Sequence, residues 1–208
     1  MEKETLTIFN NEGVPIGTAP RDEVHQKGYW HETFHCWFIE RKEGSCYLYF
    51  QLRSLKKKDY PNLLDITAAG HILSHETFEE GIREVREETG IEVSFADLVP
   101  VGIIPYEVTT ENFIDRERAR LFLYEFTGSM EDFSLEEEEV CGIFRAEFDQ
   151  FEKLIDGGIE NIHLKGFQIT FDGKREKKVL IAKKKDFVPH ENSYYQAVLE
   201  NIRKYIER

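Results

Sequence analysis

The sequence predicts an α+β fold, a mixed β-sheet sandwiched between helices, and three observations lead there. Alternating runs rich in β-branched and aromatic residues lie on both sides of one central segment. Within that segment the apolar period lengthens from two to about 3.6, with Phe78, Ile82, Val85 and Thr89 at helical spacing. The chain then closes on an amphipathic helix with Tyr195, Val198, Leu199, Ile202 and Ile206 on one face. Strands on both sides of a helix, with no regular strand–helix alternation, fit the α+β class.

The elements follow in order. "LTIF" and "VPIGTA" flank an Asn/Gly turn and predict two short strands. "PRDEVHQKG" predicts a helical turn closed by Gly28. "ETFHCWFIE" and "SCYLYFQLR", joined by "RKEG", predict a hairpin. A basic loop, "SLKKKDYPN", leads into the strand "LLDITAAGHI". Gly90 stops the central helix. Beyond it, "LVPVGIIPYEV" and "RARLFLYEF" return to strand pattern, followed by the acidic "SMEDFSLEEEE". "VCGIFRAEF" predicts a strand, "DQFEKLI" a short helix, and "FQITF-DGKREKK-VLIA" a hairpin before the closing helix. With no internal repeat and no linker-like stretch, the expectation is one domain over 1–208.

A formal net charge of −13 argues against nonspecific binding to DNA, RNA or anionic membranes, which need a basic footprint. It also means that an anionic substrate is repelled unless cations intervene. Three widely spaced cysteines, Cys36, Cys46 and Cys141, form no CxxC pair and predict free thiols in a reducing, cytoplasmic setting. The polar, acidic start "MEKETLTIFNNEG" is unlike a signal peptide, and no apolar run approaches the roughly 20 residues of a membrane helix.

The densest chemistry is "REVREETG", Arg83 to Gly90. On a helical wheel at about 100° per residue, with Glu84 at the origin, Glu87 falls near ~300°, Glu88 near ~40° and Glu80 near ~320°. The apolar set lies between about 100° and 160°, so one face is core and the opposite face carries carboxylates. Two readings fit. Arg83 stands four residues from both Glu79 and Glu87, so ion pairs could make this a solvated face, and like-charge pairs cost only about 0.2–0.5 kcal/mol each. Alternatively the carboxylates cage a hard divalent cation, Mg²⁺ or Mn²⁺. The preceding "DITAAGHILSHET" runs a strand through a glycine into a loop and then into this helix, which suits the second reading.

"AAGHILSHETFEEGIREVREETGI" resembles the Nudix box, G-x5-E-x7-R-E-U-x-E-E-x-G-U, with U aliphatic. Arg83, Glu84, Val85, Glu87, Glu88, Gly90 and Ile91 match its second half without a gap, and Gly70 and Glu76 match its first. One departure stands out: six residues, not seven, separate Glu76 from Arg83. Either the loop is one residue shorter, or His75 fills the glutamate slot and Ala69 the glycine slot. The leader "GTAPRDEVHQKGYWHETFHCWF" and "LLDITAAGH" resemble the branch related to isopentenyl-diphosphate isomerase. The resemblance covers about residues 5–155, leaving about 156–208 as a C-terminal extension with its hairpin and helix.

The resemblance implies a Nudix-like sheet between helices and hydrolysis of a small-molecule diphosphate, such as a nucleoside diphosphate linked to a further group. Glu84, Glu87 and Glu88 are then the metal ligands, for Mg²⁺ or alternatively Mn²⁺, and Arg83 orients a box glutamate. Glu87, or a carboxylate of Glu136 to Glu139 such as Glu138, is the candidate general base. In the isomerases a second metal site uses three histidines and two acids; His25, His31, His71, Asp115 and Glu117 fall at corresponding positions. Taken singly, each of these scattered histidines is more simply read as an ordinary surface or core residue. Isomerase chemistry needs a cysteine where this chain has Ala69, and the hydrolase glutamates are complete, so hydrolysis is the favoured reading. A non-catalytic ligand-binding role is the third alternative, and the complete glutamate set argues against it. Lys56, Lys57 and Lys58 could meet substrate phosphates or form a basic surface loop. Trp30, Trp37 and Tyr106 could stack on a base or lie in the core. The closing helix could mediate a homodimer or pack on its own sheet.

Overall fold

β3 (Trp30–Lys42) is the strand around which the fold is organised. In the computed structural model, which describes residues 4–109 and 113–207, one edge of β3 pairs in parallel with β8 (Ile114–Glu125) from Trp30 to Ile39. Its other edge is shared by three antiparallel partners in succession. These are β1 (Thr5–Phe9) at Trp30 and His31, β6 (Ala68–His71) at Thr33 to Cys36, and β4 (Ser45–Arg53) from Ile39 onward. β2 (Pro15–Pro20) adds to β1, β7 (Val99–Thr109) to β8, and β5 (Leu64–Ile66) to β4. Beyond β4 the sheet continues through β9 (Val140–Glu147), β10 (Ile162–Ile169) and β11 (Arg175–Ala182).

The period-two alternation of β3 divides the core. Phe34, Cys36 and Phe38 point to one face, where they pack with Tyr49, Phe122, Phe133 and Val85 of α2 (Arg83–Thr89). Trp37 and Ile39 point to the other, which is covered by α3 (Phe148–Ile155) and α4 (Asn192–Ile206). The sheet is thus sandwiched between helices, as the sequence predicts. α4 buries Tyr194, Tyr195, Val198, Leu199 and Ile202 against its own sheet. At roughly 1.5–3 kcal/mol for each large side chain fully withdrawn from water, that face is a substantial part of the core. α1 (Arg21–Lys27) ends at left-handed Gly28, and the β3–β4 hairpin turns on Glu43 and Gly44, both with positive φ as a two-residue loop requires. No described helix is long and apolar enough to cross a membrane.

Three expectations need correction. "LLDITAAGHI" is two strands, because Thr67 leaves the ladder: its hydroxyl donates to Tyr49 O (2.6 Å) and accepts from Phe38 N (3.0 Å). The chain thereby passes from the edge of β4 to the edge of β3. Phe78 is outside the apolar helix face and 38% exposed, with the Arg120 guanidinium 4.5 Å from its ring centre. The helical run begins later, at a 3₁₀ turn over Glu80–Ile82, after the Glu80 carboxylate has captured the amide and hydroxyl of Thr77. Finally, β8 starts at Ile114, before "RARLFLYEF", so Asp115 and Glu117 lie on a strand.

Candidate active site

Gly70 and His71, consecutive on β6, each border a different cluster of polar side chains. Gly70 forms the floor beneath Glu84. A Cβ built there would lie 2.2 Å from Glu84 Cδ, so only a glycine lets that carboxylate rest against the strand. Glu88, one turn on, is buried, and its Oε2 accepts from Ala69 N (2.9 Å) and Gln51 Nε2 (3.0 Å). Gln51 Oε1 is itself buried without a hydrogen-bond partner among the described residues. α2 ends at Gly90, left-handed at φ 72°, where a Cβ would meet Ser134 O at 2.5 Å.

Arg83 ties these carboxylates together. Its Nη1 donates to Glu84 Oε1 (2.6 Å) and Glu87 Oε2 (2.8 Å), its Nε to Glu76 Oε1 (2.5 Å), and its Nη2 to Glu76 Oε2 (3.2 Å) and His71 O (3.1 Å). Glu76 also accepts from Leu73 N at 2.8 Å, so Glu76 is the acid that meets the arginine at this end of the loop. Burial pushes the Glu84 carboxyl up to about 7, with the Glu87 charge adding and Arg83 opposing. Burial and then the Glu84 charge push Glu88 up to about 8. Glu87 is the open member, its side chain about half exposed. Cations are therefore favoured beside two acids that resist ionising alone, and the guanidinium of Arg83 is the cation that Glu84 and Glu87 hold here.

The second cluster lies at the end of β3. The rings of His25, His31 and His71 stand 5.0–5.3 Å apart, and their ligand atoms converge within 4.8 Å. His31, Asp115 and Glu117 form an overlapping group of the same kind. Among the described residues these are the two constellations whose ligand atoms converge so closely; the box glutamates, engaged by Arg83, are not one of them. His25 Nδ1 lies 2.9 Å from Arg21 O and His31 Nδ1 3.1 Å from Tyr29 O. Each Nδ1 therefore carries the proton, and each Nε2 turns its lone pair inward. His31 Nε2 and Asp115 Oδ1, 3.5 Å apart, are buried with no hydrogen-bond partner among the described residues. Burial, with the neighbouring His71, holds the His31 imidazolium down to about 3. Burial and the Glu117 charge raise Asp115. Burial, which lowers His25, is outweighed by the neighbouring Asp115 carboxylate, whose Oδ1 lies 3.4 Å from His25 Nε2, so His25 is raised.

Two inward lone pairs, an orphaned carboxylate oxygen and a converging imidazole fit a transition-metal-type cation. Three carboxylates with an orphaned amide oxygen nearby fit a hard one, Mg²⁺ or Mn²⁺. Glu138 pairs with Lys56 (2.5 Å) on the surface, and Lys57 pairs with Glu139. The lysine loop and the acidic run thus neutralise each other. Trp37 is core, and Tyr106 is buried with its hydroxyl 2.7 Å from Glu117. Sequence reasoning missed Gln51, Thr33 and His35. The last two had a signal, since His31, Thr33 and His35 alternate on one face of β3.

Replacing Gly70 with alanine is expected to push Glu84 off its floor while leaving the melting temperature nearly unchanged, because the end of a side chain can move. Divalent-cation affinity, measured by calorimetry, is expected to drop about ten- to a hundred-fold, the scale on which misplaced supporting groups act.

A family profile described as NUDIX domain matches residues 30–164. An uncharacterised Nudix hydrolase of Clostridium acetobutylicum is 41% identical over 202 residues, spanning 97% of this chain and 98% of its own. An isopentenyl-diphosphate delta-isomerase of Salmonella paratyphi B is 33% identical over 103 residues, 49% of this chain and 54% of its own. Among solved structures, one from Deinococcus radiodurans superposes with a TM-score of 0.54 at 20% identity, covering 74% of this chain and 90% of that one. A MutT/nudix family protein from Enterococcus faecalis gives 0.55 at 11% identity, over 85% and 62%. The chain therefore belongs to the Nudix family and is a Nudix-type hydrolase. Its mixed α+β architecture is that of these structural neighbours.

Proposed function

We propose that the chain is a Mg²⁺- or Mn²⁺-dependent hydrolase that cleaves the P–O–P linkage of a nucleoside diphosphate bearing a further group, or of a related small diphosphate. The observation that supports this most is the pair of carboxylates, half-buried Glu84 and buried Glu88, held over Gly70 and Ala69 beside an arginine latch. A bound divalent cation would neutralise the diphosphate and activate water for attack on phosphorus. It also removes the repulsion that a net charge of −13 imposes on an anionic substrate.

The chain's own groups divide the remaining work. Glu84, Glu87 and Glu88 hold the cation, and Arg83 with Glu76 fixes the loop and the helix against each other. Glu87 is the box carboxylate open to solvent, so it is the one that can take a proton from the attacking water. Glu138 is bound to Lys56 and is left aside as base. Glutamine at position 87 is expected to lower turnover at least about a hundred-fold, the scale of general-base catalysis. Glutamine at 138 is expected to leave turnover within about two-fold, as loss of an exposed ion pair should. Equal losses in initial-rate assays would contradict this division.

The histidine cluster, with His25, His31, His71, Asp115 and Glu117, is proposed as a second cation site serving the same reaction. Ala69 carries no thiol, Cys36 is fully buried, and burial pushes its thiol well up, so proton shuttling at an alkene carbon lacks its group. A panel of nucleotide sugars, dinucleotides, nucleoside triphosphates and cofactor diphosphates, with isopentenyl diphosphate as the isomerase control, tests the proposal. Cation-dependent release of a phosphorylated product is expected from at least one compound. Double-bond isomerisation, or binding without cleavage across the panel, would overturn it.

A further inference from the structure

Glu117 of the histidine cluster is held by a chain of hydrogen bonds that ends on the C-terminal helix. Its Oε2 accepts from Thr33 Oγ1 (2.7 Å), Tyr106 Oη (2.7 Å) and His35 Nε2 (3.1 Å), all buried. An ionised carboxylate only accepts, so His35 carries its proton on Nε2. Its other nitrogen, Nδ1, lies 2.7 Å from Tyr194 Oη. That hydroxyl also receives Trp37 Nε1–H at 3.3 Å. Tyr194 is completely buried, and its hydroxyl proton has one acceptor among the described residues, His35 Nδ1. Only one proton arrangement satisfies every group: Trp37 donates to Tyr194, Tyr194 to His35, and His35 to Glu117.

We infer that Tyr194 is a positioning residue for the histidine cluster, fixing the tautomer of His35 so that Glu117 keeps one oxygen saturated and the other free for a cation. The inference rests on the proposed second cation site. Tyr194 lies beyond residue 164, where the family match ends, so the extension would supply part of the site's support. Its seat is built for constancy. Val188 N donates to Leu64 O (2.8 Å), Leu64 and Phe187 form a bridge, and His190 Nε2 meets Asp65 Oδ1 at 3.0 Å. Asp65 is fixed in turn by Arg53 Nη1 (2.8 Å) and by the amide of Ile66 (2.9 Å). The ring of His190 then packs on Tyr194 and Tyr106, with centres 4.9 and 5.3 Å away. The segment entering α4 is thus clamped to β5 immediately before it presents the tyrosine.

Neighbouring Tyr195 provides the control. It is also buried, and its hydroxyl donates to Val188 O (2.8 Å) without touching the cluster. Tyr194→Phe and Tyr195→Phe each delete one buried hydroxyl from α4, so a merely structural role predicts similar effects. The experiment titrates full-length wild type and both variants with Co²⁺ by visible absorption, with His31→Ala marking the cluster-dependent signal. In parallel, long-range ¹H–¹⁵N spectra of the histidine rings read the His35 tautomer without metal. Tyr194→Phe is expected to weaken the His31-dependent Co²⁺ signal about ten- to a hundred-fold and to abolish the single Nε2–H signature of His35. Tyr195→Phe is expected to leave both within about two-fold of wild type, with similar melting temperatures in the two variants. Wild type lacking any His31-dependent signal would remove the second cation site and the inference with it. Wild type binding Co²⁺ with the two variants indistinguishable would overturn the inference alone. Should Tyr194→Phe fail to fold, wild-type His35 still decides: a proton on Nδ1 rather than Nε2 refutes the inference.

Discussion

Glu84→Gln and Glu88→Gln are each expected to reduce cation-dependent hydrolysis by about a thousand-fold or more, corresponding to ~4 kcal/mol of lost transition-state stabilisation. The fold should survive. In the wild type a single oxygen of Glu88 accepts both the Ala69 amide and the Gln51 side chain, and a glutamine carbonyl can do the same. What is lost is the charge. The effect should appear in kcat at saturating cation for Glu88, and circular dichroism should match wild type. Retention of more than a tenth of wild-type turnover in both variants would mean that these acids are core polar groups rather than cation ligands.

The metal-free protein is expected to lose stability as pH rises, with Glu88 as a principal cause. Burial raises the folded carboxyls of Glu84 and Glu88 from 4.5 to about 7 and about 8. Between pH 4.5 and 8 the folded state therefore holds protons that the unfolded chain has released, and stability falls with pH across that window. The contribution is fully present below the unfolded value and is lost as pH passes the folded ones. At ~1.4 kcal/mol per unit, each site taken alone represents on the order of a few kcal/mol. Thermal melts in chelator at pH 5.5 and 8.5 should show the decline, and Glu88→Gln should show a smaller one. Excess Mg²⁺ should raise the melting temperature more at the higher pH, since it binds the ionised form. Parallel pH profiles for wild type and Glu88→Gln would show that Glu88 ionises as freely folded as unfolded.

The two clusters were not equally legible in the sequence. The box glutamates lie within one helix, so their helical angles and the glycine upstream could be read from spacing alone. His25, His31, His71, Asp115 and Glu117 are scattered over more than ninety positions of the chain. Spacing did not join them; the resemblance to the isomerase branch did. The structure then brings them together because β3 pairs with β6 on one edge and β8 on the other, a register no local pattern encodes. The hydrogen-bonded supports were harder still. His35 shares its face of β3 with His31, which alternation reveals, but Gln51 and Tyr194 depend on which strand lies beside which helix. Phe78 misled because it stands at helical spacing from Ile82, while Thr77 and Glu80 fix a turn before the helix begins.

The arginine latch also yields an expectation for how the proposed site would respond to a cation. Arg83 holds one oxygen each of Glu84 and Glu87 and both oxygens of Glu76. A divalent cation competes for the first pair and has no claim on the second. Cation binding should therefore release Arg83 from Glu84 and Glu87 while its fork on Glu76 persists, which makes Glu76 the anchor of the loop rather than a ligand.

The most direct measurement is an anomalous difference map from crystals grown with Mn²⁺ and a non-hydrolysable diphosphate. A manganese peak bounded by the carboxylates of Glu84, Glu87 and Glu88, with the diphosphate beside it and Arg83 retained by Glu76, is the expected result. Manganese confined to other positions, with Glu84 and Glu87 still bound to Arg83, would contradict it.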